Sequence, residues 1–161
     1  MKQKPLRVYA DTSVFGGTFD IVFRDATRTF FEQVREGYFL LTVSTVVRRE
    51  LLEAPARVRG LYQEMLPMID LMVDISEEAV RLSEAYLKAR IVTPKSADDA
   101  AHVALATVSN CSAIVSWNFR HIVHFQKIPL YNAVNALHGY RNIAICSPQE
   151  VIDYEDKDQE I

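Results

Sequence analysis

The feature that most constrains this chain is the alternation of short apolar runs with segments of helical pattern. Residues 6–10 read as a buried strand, ended by Asp11-Thr12-Ser13, and Gly16-Gly17 then breaks the chain. Residues 25–36 read as a helix with Phe30, Phe31 and Val34 on its apolar side and Gly37 as its stop. Residues 38–43 form a second β-rich run. Ser44 is placed to cap the next helix, which carries Val46, Val47, Glu50 and Leu51 before Pro55. Residues 56–68 give a weakly marked helix, and residues 71–75 divide between strand and loop. Ser76-Glu77-Glu78 is a good helix start, because acids complement the positive end of the helix dipole. That helix is expected to reach about residue 90, and Pro94-Lys95-Ser96 separates it from an alanine-rich helix over 97–109. Two more strands fall at 112–116 and 142–146, and a short helix at 148–152. Strands alternating with helices predict an α/β fold, a three-layer α/β/α sandwich around a mostly parallel sheet.

A length of 161 residues favours one domain, placed at 1–152, with an acidic C-terminal tail at 153–161. The basic N-terminal residues are followed by no apolar segment of signal-peptide type, and no run is long enough to span a bilayer. Cys111 and Cys146 lack a metal-type spacing and sit in or beside apolar runs, as buried free thiols in a reducing cytoplasm would. The formal net charge is −3, so the surface as a whole does not attract nucleic acid. A nucleic-acid site would need a local basic patch or recruited cations.

Several acids stand where chemistry is done. Asp11 directly follows a buried strand, the end of an open α/β sheet at which ligands bind; the competing reading is a turn or helix cap. Glu50 shares a helical stripe with Val46 and Val47, which should face the sheet, although pairing with Arg48 or Arg49 on the surface is the ordinary fate of such a residue. Asp98 and Asp99 open the alanine-rich helix, where Ser96-x-x-Asp99 also fits a capping box. His102 lies one turn beyond Asp99 on the same face, as a ligand or base, or as a packed core histidine. Asn118 follows the strand at 112–116, flanked by Trp117 and Phe119. Arg120, His121, His124 and Lys127 then form a basic, aromatic-bearing stretch that could seat phosphates or simply be solvated.

Taken in order, these segments resemble the PIN-domain family. Val8-Tyr9-Ala10-Asp11-Thr12-Ser13-Val14 is similar to its first motif, and Ser44 with Glu50 to its second. Asp99-Ala100-Ala101-His102-Val103-Ala104-Leu105-Ala106 resembles the third, Ile114-Val115-Ser116-Trp117-Asn118-Phe119 the fourth, and residues 143–150 the closing strand and helix. The third and fourth are the more specific, and the resemblance covers nearly the whole chain. It implies Asp11, Glu50 and Asp99 as the acidic metal-site residues. Asn118 stands where many relatives carry a fourth acid; an amide oxygen can ligate a hard cation or orient its water, with one negative charge fewer. In size the chain resembles VapC-like toxins, which implies Mg2+- or Mn2+-dependent RNA cleavage and pairing with an antitoxin protein.

The expected chemistry is phosphodiester hydrolysis, with Asp11, Asp99 and Glu50 as metal ligands directly or through water. Asn118 would position a water or phosphate, and Thr12, Ser13 and Arg120 would contact the substrate. One alternative is a PIN-fold module that binds RNA or protein with weak or no nuclease activity. Another is a phosphatase of the haloacid-dehalogenase type, which also places an aspartate after its first strand but needs a second acid two residues on, where this chain has Ser13. The alanine-rich helix, with apolar residues around Phe30 and Leu61 expected to be exposed, points to a homodimer.

Overall fold

The computed structural model describes residues 4–154, and at its centre is a five-stranded, all-parallel sheet. The strands are β1 (Leu6–Ala10), β2 (Phe39–Ser44), β3 (Ile69–Val73), β4 (Ala113–Val115) and β5 (Ala144–Cys146), in the order β3-β2-β1-β4-β5. Val8 is opposite Leu41 on one side and Ala113 on the other. A central strand covered on both faces must be apolar throughout, and Val8, Tyr9 and Ala10 are completely buried. The chain winds outward from β1 through β2 to β3, then returns to lay β4 along the opposite edge of β1. The strand order therefore reverses between β1 and β4, and a crevice opens there at the carboxyl ends.

The helices are α1 (Thr12–Gly17), α2 (Arg24–Arg35), α3 (Thr45–Leu51), α4 (Ala56–Met65), α5 (Glu77–Lys88), α6 (Ala97–Val108), α7 (Ile128–Leu137) and α8 (Pro148–Val151). One layer joins α2 to α1 and α8, and α1 to α4; the other joins α5 to α6 and α7. The predicted serine caps form: Ser44 Oγ accepts the Val47 N–H at 3.2 Å and Ser76 Oγ that of Ala79 at 3.1 Å. Ser96 makes no such bond, so the capping box expected at Ser96 and Asp99 is absent.

Three elements differ from expectation. The segment around residue 71 is a genuine strand; its central residues are exposed because β3 is an edge strand. Helices α1 and α7 were not anticipated. The structural basis expected for a homodimer also changes, since Phe30 and Leu61 lie in the core and Ala100, Ala104 and Ala106 are buried where α6 meets its neighbours. Cys111 and Cys146 are free, and burial raises their thiols to about 11 and about 12, so both stay protonated. Of the expected tail, Asp153 has its backbone clasped by the Gln33 side chain at 2.7 and 2.9 Å. Tyr154, whose hydroxyl donates to the Gln149 carbonyl, is the last described residue of that tail, and 155–161 lie outside those described.

Gly17 closes α1 against Trp117, the chain's single tryptophan. A Cβ there would stand 2.6 Å from Trp117 Nε1 and 2.9 Å from Thr27 Oγ1, which are hydrogen-bonded to each other at 2.8 Å. Gly17→Ala is therefore expected to destabilise the fold by about 1–3 kcal/mol through overpacking. Urea unfolding measures the loss, and a red shift of tryptophan emission should accompany it.

Candidate active site

Asp11 ends β1 and occupies the N-cap position of α1, yet its side chain makes no cap bond. Its carboxylate oxygens turn instead to two hydroxyls, one in α1 and one across the crevice. Ser13 Oγ donates to Oδ1 at 2.6 Å and Ser116 Oγ donates to Oδ2 at 2.7 Å. Those serines in turn accept backbone N–H groups of the β4 loop, Trp117 N–H on Ser13 at 2.8 Å and Asn118 N–H on Ser116 at 2.9 Å. Asp11 N–H bonds the Val115 carbonyl at 3.2 Å. The carboxylate is thus part of the seam between β1 and β4. It is 4% exposed, and burial raises its pKa; His102, Ser13 and Ser116 oppose the rise, and Glu50 adds to it.

On the other side stands a buried polar chain. Glu50 Oε1, from α3, pairs with His102 Nε2, from α6, at 2.5 Å. His102 Nδ1 meets Tyr9 Oη at 2.7 Å, and Tyr9 Oη meets Ser44 Oγ at 2.6 Å. A phenol in the middle of a central strand needs a polar partner, and here it has two. Burial works against the imidazolium. The hydrogen bond to Glu50 and the charges of Asp11, Glu50 and Asp99 outweigh it, and the pKa of His102 is raised. Glu50 is desolvated in part, but the hydrogen bond and charge of His102, with Thr12 and Arg49, hold its carboxyl below the usual value. Of the three expected acids, Glu50 alone bonds the imidazole of His102, while Asp11 and Asp99 act on it through their charge. Asp99 is half-buried and Asp98 is exposed, where it faces Arg49 at 3.4 Å.

The remaining expected residues have distinct settings. Asn118 Oδ1 accepts the His121 N–H at 2.9 Å, so its carbonyl oxygen holds the turn after β4 and its NH2 group is left as a donor. The Ser13 hydroxyl is already engaged with Asp11 and Trp117. Thr12 Oγ1 is buried and close enough to influence Glu50, but it has no hydrogen-bond partner of ordinary geometry. Arg120 is exposed. His102, expected either as a ligand or base or as a packed core histidine, is buried and hydrogen-bonded to Glu50 and Tyr9. Ser116 and Tyr9 complete the site without having been singled out from the sequence. Ser116 carried a signal, since it ends β4 in the way that Ser44 ends β2.

A hard divalent ion wants oxygen donors, and Asp11, Glu50 and Asp99 supply them. An orphaned Thr12 hydroxyl and a desolvated carboxylate are also what a bound ion and its water would satisfy. The spacing is wider than the donor chemistry alone suggests: among the described residues, no three His, Cys, Asp or Glu side chains stand close enough to share an ion directly.

No protein-family model matches the chain, and no curated protein matches it in sequence. Several solved structures resemble it in fold, two of them as follows. The complex VapBC2 from Rickettsia felis, bound to a DNA fragment from its promoter, matches 71% of this chain and 90% of its own, at 14% identity and a TM-score of 0.52. FitAcB from Neisseria gonorrhoeae matches 89% of this chain and 99% of its own, at 12% identity and a TM-score of 0.57. At such identities the likeness is one of fold, and the fold is that of PIN domains.

Proposed function

We propose that this chain is a metal-dependent ribonuclease, and the toxin of a toxin-antitoxin pair. The observation that carries the reading is Asp11, desolvated at the β1–β4 crevice and pinned by two serines, beside the Glu50–His102 pair. The two structural neighbours described above are PIN-domain toxin complexes, which supports the pairing with an antitoxin. Asp11 would hold Mg2+ or Mn2+, with Glu50 and Asp99 reaching it through water. The ion would supply charge to offset a phosphate and to acidify a bound water. Glu50, one third exposed and paired with His102, would be the proton acceptor for the attacking water. Thr12 Oγ1 and the Asn118 NH2 are the free donors for phosphate oxygens.

The Glu50–His102 pair also satisfies itself without a metal, which favours a second reading as a PIN-fold module that binds RNA without cutting it. Incubation with single-stranded RNA in Mg2+, in Mn2+ and in chelator separates the two. Cleavage in either metal and none in chelator is the expected result. RNA binding without cleavage in any of the three would favour the module.

A further inference from the structure

The loop from the end of β4 to the start of α7 brings together features the proposed chemistry does not use. From residue 100 to residue 149 the chain contains no aspartate or glutamate, although its net charge is −3. That stretch carries Arg120, Lys127 and Arg141 and all four histidines. Among the described residues neither Arg120 nor Lys127 has a carboxylate within ion-pair distance, whereas Arg7, Arg35, Arg49 and Arg81 do. Lys127 Nζ stands 3.3 Å from His121 Nδ1, and burial together with the Lys127, Arg120 and His124 charges lowers the His121 pKa. The loop thus presents uncompensated positive charge directly beside a pocket of acids.

The same loop carries an exposed aromatic ring on a fixed base. Trp117 stacks on Phe23, with ring centroids 4.2 Å apart and planes at 20°. Phe119 leans on both, 6.0 Å from Trp117 and 6.2 Å from Phe23, and remains 48% exposed. The loop is held by Trp117 N–H on Ser13, His121 N–H on Asn118, and Tyr131 Oη donating to the His121 carbonyl at 2.7 Å. A half-exposed ring on a rigid support next to unpaired cations matches what unpaired nucleotides offer: a base face to stack and a phosphate at each step.

We infer that the Trp117–Lys127 loop is the docking element for single-stranded RNA, with one base stacked on Phe119 and flanking phosphates held by Arg120 and Lys127. The inference rests on the ribonuclease reading only for the kind of nucleic acid. A duplex buries its base faces and cannot use the ring, so the specificity is for unpaired RNA.

Fluorescence anisotropy of an end-labelled single-stranded RNA oligonucleotide, with the full Asp11→Asn chain in chelator, tests it without any cleavage. The single strand is expected to bind more tightly than a duplex of the same sequence. Phe119→Ala should weaken single-strand binding about tenfold, since stacking contributes about 1–3 kcal/mol per base and 1.4 kcal/mol is a factor of ten. Phe119→Tyr should restore it, and Trp117 emission should be unchanged in both, showing that the loop has not collapsed. Arg120→Ala and Lys127→Ala should each reduce the salt slope by about 0.7. Equal binding of duplex and single strand overturns the inference, as does full affinity in Phe119→Ala. So does a Phe119→Ala defect confined to association with a protein, which would make the ring a protein contact. RNA binding of this pattern without cleavage by the unsubstituted chain would sink the ribonuclease reading and leave the docking loop standing.

Discussion

Asp11→Asn is expected to lower metal-dependent RNA cleavage by at least about a hundredfold, the scale on which an electrostatic group at a reacting centre acts. The fold should survive the change. An asparagine keeps one carbonyl oxygen to accept from one serine and offers an NH2 to the other, whose hydroxyl oxygen has a second lone pair beyond the backbone N–H it already binds. Burial disfavours the Asp11 charge, and Glu50 adds to that. Its removal should therefore leave stability in the absence of metal equal to or above that of the unsubstituted chain. Cleavage rates with saturating Mg2+ or Mn2+, and urea unfolding in chelator, measure the two halves. Undiminished cleavage by a cleanly purified variant would remove Asp11 from the reaction. Lost cleavage with a collapsed fold would show instead that the two serine bonds are structural.

How far the sequence reveals such a site depends on whether the signal is local. Asp11 was visible because a buried strand stops at it, and the caps at Ser44 and Ser76 because the bond closes within three residues. β3 was indistinct because an edge strand with Asp70, Leu71 and Met72 exposed has lost the apolar continuity of its neighbours. Helix α7 was missed because Pro129 and the exposed Leu130 and Leu137 blur its period. Its buried face also includes Asn135, which accepts the Tyr86 hydroxyl and donates to Thr107 at 3.4 Å. The centre of the site was hidden for a related reason. Tyr9 and His102 are 93 positions apart and Ser116 and Asp11 are 105 apart, and neither pairing leaves a trace at helical or strand spacing. The family resemblance names the acids, while the residues alone leave His102 between ligand or base and packed core; in the structure it is buried and paired with Glu50.

That position makes the loss of His102 costly in stability. His102→Leu removes the partner of Glu50 Oε1 and of the Tyr9 hydroxyl, and with it a positive charge felt by Asp11 and Asp99. Breaking a buried charged pair typically costs 3–5 kcal/mol. Glu50 is one third exposed and can recover some hydration, so about 3 kcal/mol is expected here. The pH dependence has a definite sign. The folded-state pKa of His102 is raised above the ordinary 6.5, so its contribution is complete below that pH and is lost as pH rises through the folded value. The folded-state pKa of Glu50 is lowered from 4.5, so its contribution is complete above that pH and is lost as pH falls through the folded value. The pair should therefore stabilise most between about pH 4.5 and 6.5 and weaken on both sides. Urea unfolding of the unsubstituted chain and of His102→Leu across this range reads the difference directly. A gap that stays constant from acid to alkaline pH would mean that His102 is held as a neutral imidazole and that the acids around it do not share its charge. A gap widest at pH 5–6 and narrowing above 7 is the result expected of an internal cation at the centre of the acidic site.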